Sequence, residues 1–242
     1  MHDIIARLLA EGAASGTAAE KEAGRMFDTL GPALATPLFL PGAEALRASV
    51  RRVTVLAARD LVERLKQWGA NVVASEKEYE GAGLGTRLAG TPDLVIDSPL
   101  RIIDFKWSGA GYRRDLLAKG GAYQLAVYGR LAAGKGKLLP GAYYILESRR
   151  LITATPGAFP GAEVVPGPNL EAVWEGLERA HAVRRKELKA GLVVATAFAE
   201  SEDVTPPEHD ELTEEGVLEV APPCRFCDFA GLCGQDFPEV EP

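Results

Sequence analysis

Gly90-Thr91-Pro92-Asp93-Leu94-Val95-Ile96, followed beyond a Ser98-Pro99 turn by Arg101-Ile102-Ile103-Asp104-Phe105-Lys106, is the stretch that decides the fold. Each part is a short apolar run bounded by turn residues and reads as a strand. Side chains alternate along a strand, so Asp104 and Lys106 share one face and Phe105 takes the other. If the two strands form a hairpin, Asp93 comes near Asp104. Two carboxylates converging at a strand end make a hard-oxygen site suited to magnesium or manganese. A lysine beside them can orient a water or stabilise charge on a phosphate, so the set suits metal-assisted phosphodiester hydrolysis. An acid-x-lysine triplet is common in itself, and Glu187-Leu188-Lys189 is a second one in a charged helix. What distinguishes Asp104-Phe105-Lys106 is the Ile102-Ile103 pair leading into it. Charged residues at the end of a buried strand cost free energy unless they have partners or a task.

Outward from this stretch the pattern alternates between helical and strand periods. Residues 3–30 read as helical, interrupted by Gly12, Gly16 and Gly24, and Pro32, Pro37 and Pro41 break the pattern. A long helix is expected from about Ala43 to Trp68, ending at Gly69. From Asn71 the period changes to two, giving a strand as far as Tyr79, then a Gly-rich turn over Gly81 to Gly85. After Lys106 a Gly- and Arg-rich loop is expected from Ser108 to Arg114. A helix from about Gly121 to Leu131, a strand at Tyr143 to Leu146 and a long loop from Pro156 to Pro168 follow. Asn169 is a good N-cap for a helix reaching about Lys189. This order implies an α/β fold, a mixed sheet flanked by helices.

The chain has 242 residues, 47% hydrophobic and 25% charged, which excludes disorder across the whole chain. No apolar run approaches the roughly 20 residues that span a bilayer, and the N-terminus lacks the flank and core of a secretory signal. The expectation is a cytoplasmic protein with no membrane partner. The net charge of -7 hides an uneven distribution. Residues 199–220 hold nine Asp/Glu and no Lys/Arg, whereas residues 101–150 hold ten Lys/Arg against three Asp/Glu. A basic face on an acidic protein suits a polyanion, although surface solvation explains it equally well.

Gln124 and Tyr128 are four apart and share a helix face about 20 residues beyond Lys106. Asp93, Asp104-x-Lys106 and Gln124-x-x-x-Tyr128, in this order and spacing, resemble the PD-(D/E)XK nucleases, specifically the RecB-like branch that includes the RecB and AddAB helicase–nucleases and the CRISPR adaptation nucleases. The resemblance covers roughly residues 14–235. It implies a restriction-endonuclease-like fold, with a mixed central sheet flanked by helices. It also implies metal ligation by Asp93, Asp104 and the Phe105 carbonyl, a water-assisting role for Lys106, and Gln124 and Tyr128 holding the site and the DNA strand. The branch often carries Gly-Thr-x-x-His upstream, its histidine joining the metal. Here Gly16-Thr17-Ala18-Ala19-Glu20 puts Glu20 at that position. A ligand role for Glu20 and a surface glutamate both remain open, and Glu76 in the first strand is a competing acid.

All three cysteines fall in Cys224-Arg225-Phe226-Cys227-Asp228-Phe229-Ala230-Gly231-Leu232-Cys233, a C-x₂-C-x₅-C spacing that favours a metal over a disulfide. The spacing resembles the iron–sulfur staple of AddB-like and CRISPR-associated members, where a fourth, upstream cysteine completes a [4Fe–4S] cluster. That cysteine is missing here. A chain starting late, a ligand from a partner, an open iron, and zinc completed by His209 are the alternatives.

The expected organisation is a nuclease core over residues 1–198, an acidic linker over 199–221 and a cysteine segment over 222–242 packing on the core. The expected function is a magnesium-dependent DNA nuclease, an exonuclease on single-stranded ends in recombination or repair, with Arg113, Arg114 and Lys119 meeting the phosphate backbone. No phosphate-binding G-x-x-x-x-G-K-[ST] loop is present, so a motor, if one is needed, would be another chain, such as a helicase subunit, or an absent upstream region. A non-catalytic DNA-binding or assembly module, and a zinc-stabilised interaction domain, are the competing classes.

Overall fold

The buried runs Leu94–Ile96 and Arg101–Lys106 pair antiparallel, with Leu94 opposite Ile103 and Ile96 opposite Arg101. The computed structural model in which they sit describes residues 2–12, 15–192, 210–221 and 228. In chain order, two helices come first, α1 (His2–Glu11) and α2 (Gly16–Leu34), then a 3-10 turn (Thr36–Phe39) and the long helix α3 (Glu44–Trp68). β1 (Val72–Ser75), β2 (Tyr79–Gly83), β3 (Thr86–Gly90), β4 (Leu94–Ile96) and β5 (Arg101–Lys106) follow. After α4 (Ala110–Lys119) and α5 (Tyr123–Ala133) come β6 (Gly141–Ile145), β7 (Arg150–Thr153), β8 (Glu163–Val164) and α6 (Leu170–Lys189). A last hairpin pairs β9 (Glu211–Leu212) with β10 (Leu218–Glu219).

The main sheet has six strands in the order β1-β4-β5-β6-β7-β8. β5 and β6 are parallel, and the crossover between them is α4 and α5. The sheet is mixed and flanked by helices, the restriction-endonuclease-like architecture. Alternation along β5 sorts its side chains between two cores. Ile103 and Phe105 join Leu94, Ile96 and Tyr144 under α1, α2 and α3. Ile102 joins Val95, Tyr143 and Ile145 under α5 and the start of α6. Asp104, between Ile103 and Phe105, therefore belongs to the α5 face. No helix among the described residues is long and apolar enough to cross a membrane.

Several local readings differ from the structure, each for a physical reason. The strand expected from Asn71 to Tyr79 stops at Ser75, because Glu76 turns to positive φ (48°). The Gly-rich stretch is not a turn but one arm of a separate hairpin, β2–β3, whose tight turn is Leu84-Gly85, both at positive φ. The loop expected over Ser108 to Arg114 is helical from Ala110, started by Gly109 in the left-handed region. The acidic stretch taken as a linker is, over residues 210–221, a hairpin packed on the core. Leu218 is buried, Arg179 Nε donates to the Gly216 carbonyl, and Glu211 bridges to Gly120. Gly121 leaves room for this approach, since a Cβ there would lie 1.9 Å from the Asp210 carbonyl oxygen. The long helix does end at Gly69, whose N–H caps the Leu65 and Lys66 carbonyls, and Asn169 does cap α6 by accepting from Ala172 N–H.

Candidate active site

The β4–β5 ladder ends at Leu94 opposite Ile103; continued, that register sets Asp93 opposite Asp104 and then Pro92 opposite Phe105. Proline has no N–H to give the Phe105 carbonyl, so that pair of the ladder cannot be completed. The Phe105 N–H instead donates to Oδ2 of Asp93. N–H and C=O of one strand residue point to the same edge, so the Phe105 carbonyl is directed to the Asp93 side as well. Asp93 is itself anchored through its main chain, its carbonyl accepting from Glu76 N–H and Ser75 Oγ, both at 3.1 Å.

Asp104 is 2% exposed and Asp93 8%. Lys106 Nζ stands 2.6 Å from Asp104 Oδ2, an ionic contact poorly aligned as a hydrogen bond. That buried oxygen otherwise has no hydrogen-bond donor. Burial pushes the Asp104 carboxyl up from 3.8 to about 6, the Lys106 ammonium opposes this, and the Asp93 charge adds to it. On α5, Gln124 Nε2 donates to the Tyr128 hydroxyl at 3.1 Å. Burial raises the Tyr128 phenol above its ordinary range, and the charges of Asp104, Asp93 and Glu76 add to the rise. Tyr128 thus stays a neutral donor beside the carboxylates. It lies over Gly90, where a Cβ would come within 2.9 Å of its ring.

The structure brings together Asp93, Asp104, Lys106, Phe105, Gln124 and Tyr128, and the charge of Glu76 reaches Tyr128. Glu20, on α2, is paired with a cation. Its carboxylate is taken by Arg59 at 3.1 Å, on α3, which covers the face of the sheet opposite Asp104. Of the basic residues expected at the backbone, Arg114 is held by Glu163 and Lys119 lies 3.6 Å from Glu211. Arg113 stacks against aromatic rings instead, 4.8 Å from Tyr112 and 5.3 Å from Tyr143. Sequence reading passed over Tyr143. The signal lay in the parallel register that sets it beside Asp104, and no local pattern carries that. Cys224, Cys227, Cys233 and His209 lie outside the described residues.

No cluster of three or more potential ligand side chains occurs among the described residues. Magnesium nevertheless commonly binds through one or two carboxylates and fills its other positions with water and phosphate oxygens. A buried carboxylate whose Oδ2 is met by the Lys106 ammonium alone, with a second carboxylate beside it, fits such an ion. A family model, that of the PD-(D/E)XK nuclease superfamily, matches residues 1–234. No curated protein and no solved structure matches the chain.

The raised Asp104 carboxyl has a consequence for folding without metal. Its folded-state value, about 6, exceeds the ordinary 3.8, so the folded protein holds the proton more tightly. The stability this contributes is fully present below the ordinary value and is lost as pH rises through 6. In EDTA, denaturant unfolding should show stability falling by up to about 3 kcal/mol between pH 4 and 7. Asp104→Asn should flatten that fall; an unchanged pH profile in the variant would remove Asp104 as its origin.

Proposed function

Because the chain belongs to the PD-(D/E)XK nuclease superfamily, we propose that it is a magnesium- or manganese-dependent deoxyribonuclease, an exonuclease of the RecB/AddB-like kind acting on single-stranded DNA ends in recombination or repair. The observation that carries this reading is the buried Asp104 carboxylate, its Oδ2 met by the Lys106 ammonium at 2.6 Å, with the Asp93 carboxylate in its field. Asp93, Asp104 and the Phe105 carbonyl would hold the ion. Bound there, it would lower the pKa of a water and neutralise charge on the scissile phosphate. Lys106 directs the attacking water, releasing Asp104 to the ion as it does so. In the hydrolysis, the water oxygen joins phosphorus, the bond to the leaving sugar oxygen breaks, and that oxygen finishes protonated. Tyr128, kept neutral and oriented by Gln124, donates to the strand at the site. Arg114 and Lys119 can meet the backbone only by opening their pairs with Glu163 and Glu211. A motor, where one is needed, is a separate helicase subunit.

The cysteine segment is assigned a structural role, with Cys224, Cys227 and Cys233 holding an iron–sulfur cluster in preference to zinc. Three thiolates so close in sequence need a soft metal, and a metal bound only by the folded chain stabilises it by linkage.

End-labelled single- and double-stranded DNA with magnesium tests the activity. Lys106→Ala and Asp104→Asn should each abolish cutting, with oligonucleotide affinity for Lys106→Ala within a few-fold of wild type. Full cleavage in EDTA would sink the metal reading. The acids rank differently from the motif alignment. Glu76, whose charge reaches Tyr128, should matter more than Glu20, which is bound to Arg59. Glu76→Gln should therefore slow cleavage at least about tenfold, comparable to the loss of one charged contact, and Glu20→Gln little. The reverse order would return the ligand role to Glu20. For the cysteines, anaerobic purification should yield iron with acid-labile sulfide. Cys227→Ser should lose the brown colour and melt at lower temperature; zinc in the wild type, or an unchanged melt, would overturn the cluster.

A further inference from the structure

Arg113 lies in the first half of α4, one residue beyond Tyr112, whose ring is 42% exposed. Its guanidinium carbon stands 4.8 Å from the Tyr112 ring centroid and 5.3 Å from that of buried Tyr143. Among the described residues its side chain makes no hydrogen bond and no ion pair, and its Nε is buried without an acceptor. The neighbouring arginines are matched: Arg114 and Arg150 share Glu163, and Arg130 holds Glu171 at 2.8 Å. Arg113 is also tied to the carboxylate pair. Tyr143 faces Asp104 in the parallel register, and the positive charge of Arg113 helps to hold the Asp104 carboxyl down against its burial.

A guanidinium stays charged and carries five donors in a planar fork. Cation–π contact with two rings holds the guanidinium while its Nε stays buried without an acceptor and its terminal N–H groups bond to no described residue. A half-buried cation in that state is costly until an anion meets it. The complementary group is a phosphate, whose oxygens accept the fork in pairs. We infer that Arg113 is the phosphate-contacting residue of this site, donating to the non-bridging oxygens of the phosphodiester held at Asp93 and Asp104. The inference rests on the nuclease reading and adds to it the group that binds the reacting phosphate. Tyr112 and Tyr143 are its positioning residues.

The test compares wild type with Arg113→Ala and Arg113→Lys, each first checked by its thermal melt. Arg113→Ala should lower kcat/KM about 30-fold or more, as loss of a charge-assisted hydrogen bond does. Guanidinium ion, added at concentrations below those that denature, should restore part of that rate to Arg113→Ala and none to Lys106→Ala. Arg113→Lys should keep the fold yet remain well below wild type, because an ammonium cannot present the planar fork. Binding of a labelled single-stranded oligonucleotide in EDTA, read by anisotropy, should weaken about tenfold in Arg113→Ala. A folded Arg113→Ala with wild-type rate and binding would overturn the inference, as would a loss of rate that guanidinium does not relieve. A wild type that never cuts but binds in an Arg113-dependent way would overturn the nuclease reading and support the phosphate contact.

Discussion

The hydrogen bond from the Phe105 N–H to the Asp93 carboxylate is the contact on which the rest of the site depends. The antiparallel ladder stops at Leu94, and Pro92 has no N–H for the Phe105 carbonyl, so the next pair cannot be completed; the Asp93 carboxylate accepts the Phe105 N–H in place of a strand carbonyl. A carboxylate takes over the role of a strand. The end of β5 is thereby held in the sheet on one side by Asp93 and on the other by β6, where Leu146 N–H donates to the Lys106 carbonyl at 2.8 Å. A ladder continued through residue 92 would cover that edge with backbone. Ending it leaves Asp93, Asp104 and Lys106 together where the β4–β5 pairing stops.

The same placement makes Asp104 costly. It sits 2% exposed between Ile103 and Phe105, whose side chains fill the opposite core. Only the Lys106 ammonium offsets its charge at close range, and Asp93 works against it. Such a carboxylate is destabilising in the folded chain alone and becomes favourable when a cation arrives. Arg113 carries the mirror image of this frustration, a cation held by rings with no anion. A buried carboxylate paired only with Lys106 and, in its field, a guanidinium without a carboxylate partner suit a site for a metal and a phosphate.

The basic middle of the chain is largely consumed by folding. Arg101 is buried, stacked 5.2 Å from Trp68 and 5.4 Å from Phe159, and donates to the Ala158 carbonyl at 2.6 Å. Arg114, Lys119, Arg130 and Arg150 stand in ion pairs, one of them with Glu211 of the acidic stretch. A count of charges along the sequence suggested a polyanion-binding face. In three dimensions much of that charge ties helices and strands together, whereas Arg113 is held by aromatic rings.

By itself the sequence determined what is local. The apolar runs at Leu94 to Ile96 and Ile102-Ile103 set two strands, and the period of two set Asp104 and Lys106 on one face. Gly69 ended α3, Asn169 began α6, and the four-residue spacing put Gln124 beside Tyr128. These follow from backbone geometry over a few residues, which neighbours in sequence suffice to specify. Only the tertiary structure decided what depends on distant partners. Arg59 binds Glu20, a turn at positive φ brings the charge of Glu76 to Tyr128, and β6 brings Tyr143 beside Asp104 to receive Arg113. An ion pair or a stacked ring leaves no periodic trace in the chain, because its partner is set by sheet order and helix packing.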